Sequence, residues 1–217
     1  AALVNTSILA EKKFEGALAA ILSSKLASPE VSAPTLQDIF ATAYRVAPQI
    51  GEAAHSDLLT IMRYDPAAHD TLTPFLFFKG FHALQSYRIS HWLWRQGREH
   101  MALYFQNRIS CLFGVDIHPA AVFGQGVMLD HATGIVIGET AVVEDDVLIW
   151  HGVTLGSKDL TGGDRHPKIR KGARLGAGSS VLGPIEIGAG ARVAAGSVVL
   201  DNVPAGVTVA GIPAKRV

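Results

Sequence analysis

The side chains best suited to catalysis are histidines and charged residues in the second half of the chain. His131 stands in LDHATG directly after Asp130, and Arg165 and His166 are adjacent in GGDRHPKIR. An imidazole has an unperturbed pKa of about 6.5, so it can take a proton from an alcohol near neutral pH. Asp116 precedes His131 by fifteen residues. It could lie near one imidazole nitrogen and fix the tautomer, although the spacing alone does not establish this contact.

Each of these residues also has a purely structural interpretation. A single histidine is commonly a surface residue or a hydrogen-bonded structural one. Asp65, in RYDPAAHD, could cap a helix, and Asp130 could cap a turn by bonding its own backbone. Arg165 could be an ordinary solvated loop charge. Residue type and spacing therefore leave both interpretations open.

A zinc site is the main alternative chemistry. The second half holds His118, His131, His151 and His166, at intervals of thirteen, twenty and fifteen residues. A catalytic zinc site needs two histidines close together and a third ligand. These intervals predict no close pair, and a single cysteine without a CxxC motif disfavours structural zinc. We therefore expect no metal site.

A six-residue repeat begins at Ile117 and runs almost to the end of the chain. An aliphatic or aromatic residue recurs at every sixth position, and a small or β-branched residue follows four positions later. The repeating positions are Ile117, Phe123, Leu129, Ile137, Val143, Ile149, Leu155, Ile169, Leu175, Val181, Ile187, Val193 and Val199. This period fits neither an amphipathic helix nor a hairpin array, so it predicts a solenoid of short parallel strands.

The repeat is interrupted twice. Two extra residues lie between Leu129 and Ile137, and fourteen residues separate Leu155 from Ile169. Solenoids accommodate insertions as surface loops that often form the working face. The segment SKDLTGGDRHPK is therefore predicted to leave the coil, with a cationic end at Arg165 and His166.

The first half of the chain is predicted to be helical. Only four of the 22 glycines precede position 114, and apolar residues recur every three or four positions in segments such as TLQDIFATAYRVAP. Thr35 is a candidate N-cap of that segment. The segment from Pro74 to Gly114 predicts two long helices broken near Gly97.

Composition restricts the class of protein. Nineteen basic and nineteen acidic residues give no net charge, so no basic field is available for nucleic acid or an anionic membrane. No apolar run is long enough to span a bilayer, and the N-terminus lacks the basic start of a signal peptide. A single cysteine, Cys111, expected to be an inert core thiol, suits a reducing compartment. A cytoplasmic protein is expected.

Several segments together resemble the serine acetyltransferases. They are KGFHALQSYRISHWLW, DIHPAA, MLDHATGIVIGETAVVEDDV, GGDRHPKIR and VAGIPAK. The resemblance runs from about Leu3 to Val217. It implies an α+β fold, in which an all-helical N-terminal domain of residues 1–113 precedes a left-handed parallel β-helix of residues 114–217 with an extended loop.

The resemblance also implies roles for individual residues. His131 would be the general base, oriented by Asp116, in transfer of the acetyl group of acetyl-CoA to the hydroxyl of L-serine. Asp65, Asp130, Arg165 and His166 would bind serine. Five residues would contact CoA: Gly156, Ser157, Ala177, Ala195 and Lys215. Acetyl-CoA would be a co-substrate, with no tightly bound cofactor.

The family further implies a homo-oligomer. Three β-helices would pack as a trimer with active sites between neighbours, and the helical domains would join two trimers. A C-terminal tail that docks into O-acetylserine sulfhydrylase is a family expectation without a matching segment in this sequence. Two rival functions remain: a hexapeptide acyltransferase with a sugar acceptor, and a non-catalytic assembly or regulatory protein that keeps the scaffold.

Overall fold

The structure is a computed structural model that describes residues 11–159 and 162–217. The described part begins with six helices, followed by short strands to the end of the chain. The helices are α1 (Phe14–Leu26), α2 (Ala33–Val46), α3 (Gln49–Tyr64), α4 (Leu72–Phe77), α5 (Lys79–Arg95) and α6 (Glu99–Phe113). The helical prediction for the first half is confirmed over the described residues. The break near Gly97 separates α5 from α6 as predicted, whereas the separate short helix α4, which ends at Phe77, was not predicted.

Helix α2 begins one turn earlier than its predicted cap. The hydroxyl of Ser32 accepts a hydrogen bond from the backbone N–H of Thr35 at 3.3 Å, so Ser32 is the N-cap and the prediction of Thr35 is wrong. Pro34 fits the first turn, where its missing N–H would have no helical partner. A proline one residue before Thr35 is therefore compatible with the earlier start.

The second half is a left-handed parallel β-helix with three sheets that form the sides of a triangular prism. The five-stranded sheet has the order β1-β4-β7-β10-β13, the four-stranded sheet β11-β8-β5-β2, and the six-stranded sheet β15-β14-β12-β9-β6-β3. The strands are β1 (Val115–Ile117), β2 (Val122–Phe123), β3 (Met128–Asp130), β4 (Ile135–Ile137), β5 (Val142–Val143), β6 (Leu148–Trp150), β7 (Thr154–Gly156), β8 (Lys168–Ile169), β9 (Arg174–Leu175), β10 (Ser180–Leu182), β11 (Glu186–Ile187), β12 (Arg192–Val193), β13 (Val198–Val199), β14 (Thr208–Gly211) and β15 (Ala214–Arg216).

The strand register follows the six-residue repeat. Ile117 pairs with Ile137, and Ile137 pairs with Leu155, so the repeating positions stack directly above one another inside the prism. Val143 pairs with Ile169 although the long insertion lies between them. The insertion therefore leaves the coil between β7 and β8 without shifting the register of the later coils.

The helices and the β-helix share one continuous hydrophobic core. Helix α6 is followed by Gly114, its C-cap, whose φ of 67° lets the chain turn directly into β1. The Tyr87 ring of α5 packs 4.9 Å from the Phe123 ring of β2. At Gly80 a Cβ atom would lie 2.0 Å from the carbonyl oxygen of Leu129, so only glycine lets α5 approach β3 this closely.

Two further observations bear on the sequence predictions. None of the described helices is long and apolar enough to cross a membrane. The thiol of Cys111 is exposed, so the expectation of a core cysteine is wrong. Cys111 lies near the end of α6 on the side away from the buried residues of that helix.

Candidate active site

Most of the predicted site residues lie on two edges of the prism, which we call the first and second edge. The first edge joins the six-stranded and five-stranded sheets and carries His131 at the turn between β3 and β4. The second edge joins the five-stranded and four-stranded sheets and carries Arg165 and His166. The five-stranded sheet separates the edges by about 10 Å or more, since each side is about three strand residues wide.

His131 occupies a strained turn on the first edge. His131 and Ala132 have φ angles of 55° and 63°, which non-glycine residues rarely adopt. The turn is closed by hydrogen bonds from the Ala132 N–H to the Asp130 carbonyl at 2.6 Å and from the Thr133 N–H to the His131 carbonyl at 2.9 Å. The two extra residues of the repeat therefore fall in this turn. Such backbone strain is commonly found at functional sites.

The His131 imidazole stands at the mouth of a cavity of about 490 Å³. Its side chain is 75% exposed, and its Nε2 lies 3.8 Å from Oδ2 of Asp130. Asp65, the residue that ends α3, lines the same cavity, as does Lys79 at the start of α5. Lys79 Nζ donates a hydrogen bond to the Thr133 hydroxyl. The predicted base and the two acidic residues predicted to bind serine, Asp65 and Asp130, thus line one cavity, which we call the His131 pocket.

Asp65 has a structural contact in addition to its place in the pocket. Its Oδ1 accepts a hydrogen bond from the Ala67 N–H at 2.8 Å, which closes a turn after the helix. The capping interpretation of Asp65 is therefore correct in part: this residue caps the end of α3 and not the start of a helix.

Arg165 is held on the second edge by its neighbours. Its Nη2 donates to Oε2 of Glu139 at 2.7 Å, and its Nη1 donates to the Gly163 carbonyl at 3.2 Å. The hydrogen bond from Arg165 lowers the pKa of the Glu139 carboxyl. Ser157 and Arg165 line a cavity of about 650 Å³ here, which we call the Arg165 pocket.

His166 is buried against the corner formed by Gly138 and Thr140. The N–H of Thr140 donates to Nδ1 of His166 at 3.2 Å, so a neutral ring carries its proton on Nε2. Burial lowers the pKa of His166, and the neighbouring Arg165 charge lowers it further. At Gly138 a Cβ atom would lie 2.0 Å from His166 Nε2, so the ring occupies the space that a side chain would need.

Asp116 is the middle residue of β1, with its side chain on the outer face of the five-stranded sheet. Its Oδ1 accepts a hydrogen bond from Nε2 of Gln106 on α6 at 2.7 Å. Its charge also acts on His118. Burial lowers the pKa of His118, and the negative charges of Glu139 and Asp116 raise that pKa in part. Within the described residues no hydrogen bond or ion pair joins Asp116 to His131. One chain alone therefore does not bring the predicted base and its orienting carboxylate into contact.

The predicted CoA contacts are divided between the same two edges. Ala177 and Ala195 stack on the first edge above His131, since the Gly178 N–H bonds the His151 carbonyl and the Gly196 N–H bonds the Ala177 carbonyl. Gly156 and Ser157 lie on the second edge, where the Ser157 hydroxyl donates to the Asp159 carbonyl at 2.5 Å. Lys215 is exposed on β15, at the end of the six-stranded sheet.

His131 has a close histidine neighbour that the sequence intervals did not predict. The rings of His131 and His151 lie 5.9 Å apart, so the expectation of no close pair is wrong. The interval of twenty residues is one coil plus the two extra residues of the first interruption. In the described parts of the chain, no group of three or more His, Cys, Asp or Glu side chains is arranged to hold a metal ion.

Further polar residues line these pockets and were not identified from the sequence. They include Lys79 and Thr133 in the His131 pocket, and Glu139 and Thr140 in the Arg165 pocket. Glu139 and Thr140 lie in a corner of the coil, where the repeat places no requirement on side-chain type. Lys79 lies on a helix, so the repeat carries no information about its position relative to His131.

Comparison with protein families gives two matches. The family described as "Serine acetyltransferase, N-terminal" matches residues 1–86, and "Bacterial transferase hexapeptide (six repeats)" matches residues 166–201. A curated relative, the serine acetyltransferase of Haemophilus influenzae, is 50% identical over 217 residues, which are 100% of this chain and 81% of the relative.

Solved structures of serine acetyltransferases match this chain over nearly its whole length. The serine acetyltransferase of Neisseria gonorrhoeae in complex with serine matches with a TM-score of 0.97 and 48% identity, covering 99% of this chain and 88% of that one. The serine acetyltransferase of Brucella abortus in complex with coenzyme A matches with a TM-score of 0.98 and 47% identity, covering 100% and 86%.

Proposed function

This chain belongs to the serine acetyltransferase family, and from that premise we propose that it transfers the acetyl group of acetyl-CoA to the hydroxyl of L-serine. The products would be O-acetyl-L-serine and CoA, the step that commits serine to cysteine synthesis. The observation that carries the proposal is the His131 pocket, in which an exposed imidazole stands beside two carboxylates. Relatives solved with serine and with coenzyme A support the choice of both substrates.

Free serine carries a positive ammonium group and a negative carboxylate. The His131 pocket supplies negative charge for the first, and the Arg165 pocket supplies positive charge for the second. Asp65 and Asp130 suit the ammonium group, and Arg165 offers a planar fork for the carboxylate, with His166 beside it. The His131 pocket and Arg165 lie at different edges of one chain, about 10 Å or more apart. That span exceeds the few bonds that separate the two charged groups of an amino acid.

A complete site therefore needs a second copy of the chain. We infer a trimer in which the first edge of one β-helix faces the second edge of its neighbour, as closed threefold symmetry allows. Residues 114–217 would form the trimer, and the helical residues 1–113 would supply Asp65 and join two trimers. The stacked Ala177 and Ala195 of one copy and Gly156 and Ser157 of the other would then border one groove for CoA, with Lys215 near its phosphates.

In the reaction, His131 takes the proton of the serine hydroxyl as that oxygen attacks the thioester carbonyl carbon. The tetrahedral intermediate then releases the CoA thiolate, which recovers the proton from the imidazolium. Asp116 would orient the imidazole and stabilise its charged form once the assembled enzyme brings the two together. General-base help of this kind contributes about 10²–10⁴-fold to the rate.

A thiol-release assay tests the proposal. Acetyl-CoA is supplied with a panel of amino acids and sugars, and CoA release is expected with L-serine only. Release with a sugar would favour the rival acyltransferase function, and no release with any acceptor would favour the non-catalytic one. His131→Ala is expected to abolish turnover and to leave CoA binding intact. Undiminished turnover by that variant would show that His131 is not the base.

A further inference from the structure

A buried carboxylate connects the helices to the first coil of the β-helix. Asp57, on α3, has a fully buried side chain. Its Oδ2 accepts hydrogen bonds from Gln85 Nε2 at 3.0 Å and from Arg88 Nε and Nη2 at 3.1 and 2.7 Å. Its Oδ1 accepts the backbone N–H of Val127 at 2.8 Å. One side chain thus contacts two positions on α5 and one on the β-helix.

The position of these contacts relates them to the His131 pocket. Asp65 ends α3 about two helical turns after Asp57. Val127 directly precedes β3, which ends at Asp130 and leads into the turn of His131. The hydrogen bond from Val127 to Asp57 therefore joins the two elements whose far ends carry the predicted ammonium ligands.

Arg88 adds a second connection at the same place. Its Nη2 also donates to the carbonyl of Gly124 at 2.7 Å, on the turn that precedes Val127. Helix α5, which carries Arg88, begins with Lys79 in the His131 pocket. Helices α3 and α5 and strand β3, three of the elements around the pocket, are thus joined to one another by this buried group.

Stability alone is a weak explanation for such a group. Replacing a buried ion pair with apolar residues of similar volume is often neutral or stabilising, because desolvation cancels much of the Coulomb attraction. A directional hydrogen bond to one backbone N–H, in contrast, fixes the distance and register between two elements. An apolar residue cannot supply that constraint.

We propose that Asp57 is a positioning residue for the serine site, acting through its hydrogen bond to the Val127 N–H. The carboxylate sets the spacing between Asp65 and Asp130, while Arg88 and Gln85 neutralise and orient it. This inference rests on the proposed function, since the affinity it controls is that for serine. The CoA groove along Ala177 and Ala195 lies on later coils and does not depend on it.

Two double variants, neither of which changes the net charge of the chain, test the proposal. Asp57→Leu with Arg88→Met removes the ion pair and the acceptor for Val127. Asp57→Asn with Arg88→Met removes the same charges but keeps an oxygen that can accept from Val127. The first is expected to raise the KM for serine about tenfold, since small displacements of binding groups have effects of this size. The second is expected to stay within about threefold of the parent enzyme.

Control measurements separate positioning from general damage. The KM for acetyl-CoA is expected to remain within about twofold in both double variants, because its groove lies on other coils. Glu52→Gln, an exposed change on the same helix, is expected to alter neither KM. Hydrogen exchange at the Val127 amide reports the hydrogen bond independently of enzyme activity. The exchange rate is expected to increase only in the variant with leucine.

Equal serine KM values in the two double variants would overturn the proposal, as would a parallel rise in the KM for acetyl-CoA. If the leucine variant does not fold, Asp57→Glu replaces it, because it keeps the charge and displaces the carboxylate by one methylene. An unchanged serine KM in that variant would equally overturn the proposal. If the parent enzyme shows no serine-dependent CoA release, the proposed function itself has failed, and Val127 exchange still tests the contact.

Discussion

The imidazole ring of His151 lies one coil beyond that of His131, with the ring centroids 5.9 Å apart and the planes at 72°. The pairing of Asp130 with Trp150 fixes this relationship, since the next residue of each strand is the histidine. An edge-to-face arrangement of this kind restricts the orientations open to the exposed His131 ring. His151 thus continues the first edge between the proposed base and Ala177.

His151→Ala is expected to lower kcat about two- to tenfold, because removing an aromatic contact costs about 0.5–1.5 kcal/mol. The KM for serine should change little, since His151 does not line the His131 pocket. Steady-state kinetics beside His131→Ala make the comparison. A loss as large as that of His131→Ala would show that His151 takes part in proton transfer.

Gly138→Ala is expected to displace His166, because the new Cβ would lie 2.0 Å from its Nε2. Overpacking of this kind costs about 1–3 kcal/mol, and the hydrogen bonds between His166 and Thr140 would be lost with the displacement. Thermal unfolding and the KM for serine measure the two effects. Gly162→Ala is the matched control in the same region, since no atom of the residues that the structure describes lies within 4 Å of the added Cβ. Equal effects at both positions would contradict the packing argument.

Mixing two impaired variants is expected to restore activity if the site is shared between copies. His131→Ala removes the proposed base on the first edge. Arg165→Ala removes, on the second edge, the arginine proposed to bind the carboxylate of serine. In randomly mixed trimers about a quarter of the junctions pair an intact His131 with an intact Arg165. The mixture should therefore show about a quarter of the parent activity at low serine concentration. Failure to recover activity after verified exchange of subunits would show that each chain holds its whole site.

Acidification is expected to destabilise the fold in a window set partly by His82. Burial lowers its pKa to about 4, and its Nε2–H donates to the Phe75 carbonyl at 2.8 Å. The unfolded chain binds a proton near pH 6.5, so it holds more protons than the native state between pH 6.5 and 4. Native stability from this residue is complete above pH 6.5 and falls by about 3 kcal/mol as the pH drops to 4.

Urea unfolding at several pH values measures this slope, and His82→Gln should reduce it. The slope that remains is expected to come from His91, His118 and His166, whose pKa values are also lowered mainly by burial. A slope that is identical in His82→Gln and the parent would contradict the assignment to His82.

The repeat in the sequence determined the β-helix almost completely. Because each side of the prism needs one inward side chain, Ile117, Ile137 and Leu155 had to stack, and their pairing in the structure follows that rule. The family segments likewise predicted His131 and Arg165 as site candidates. The division of the chain into two functional domains, and the role of each candidate, remain predictions.

Only the tertiary structure decided which side chains meet. It placed His151 against His131, Glu139 against Arg165, and Asp57 against the Val127 N–H. It also showed that one chain does not join Asp116 to His131. The physical reason is that a periodic pattern specifies which residues face inward on a side, whereas corners, insertions and helix packing determine the neighbours of outward side chains. Those neighbours depend on long-range distances that no local spacing encodes.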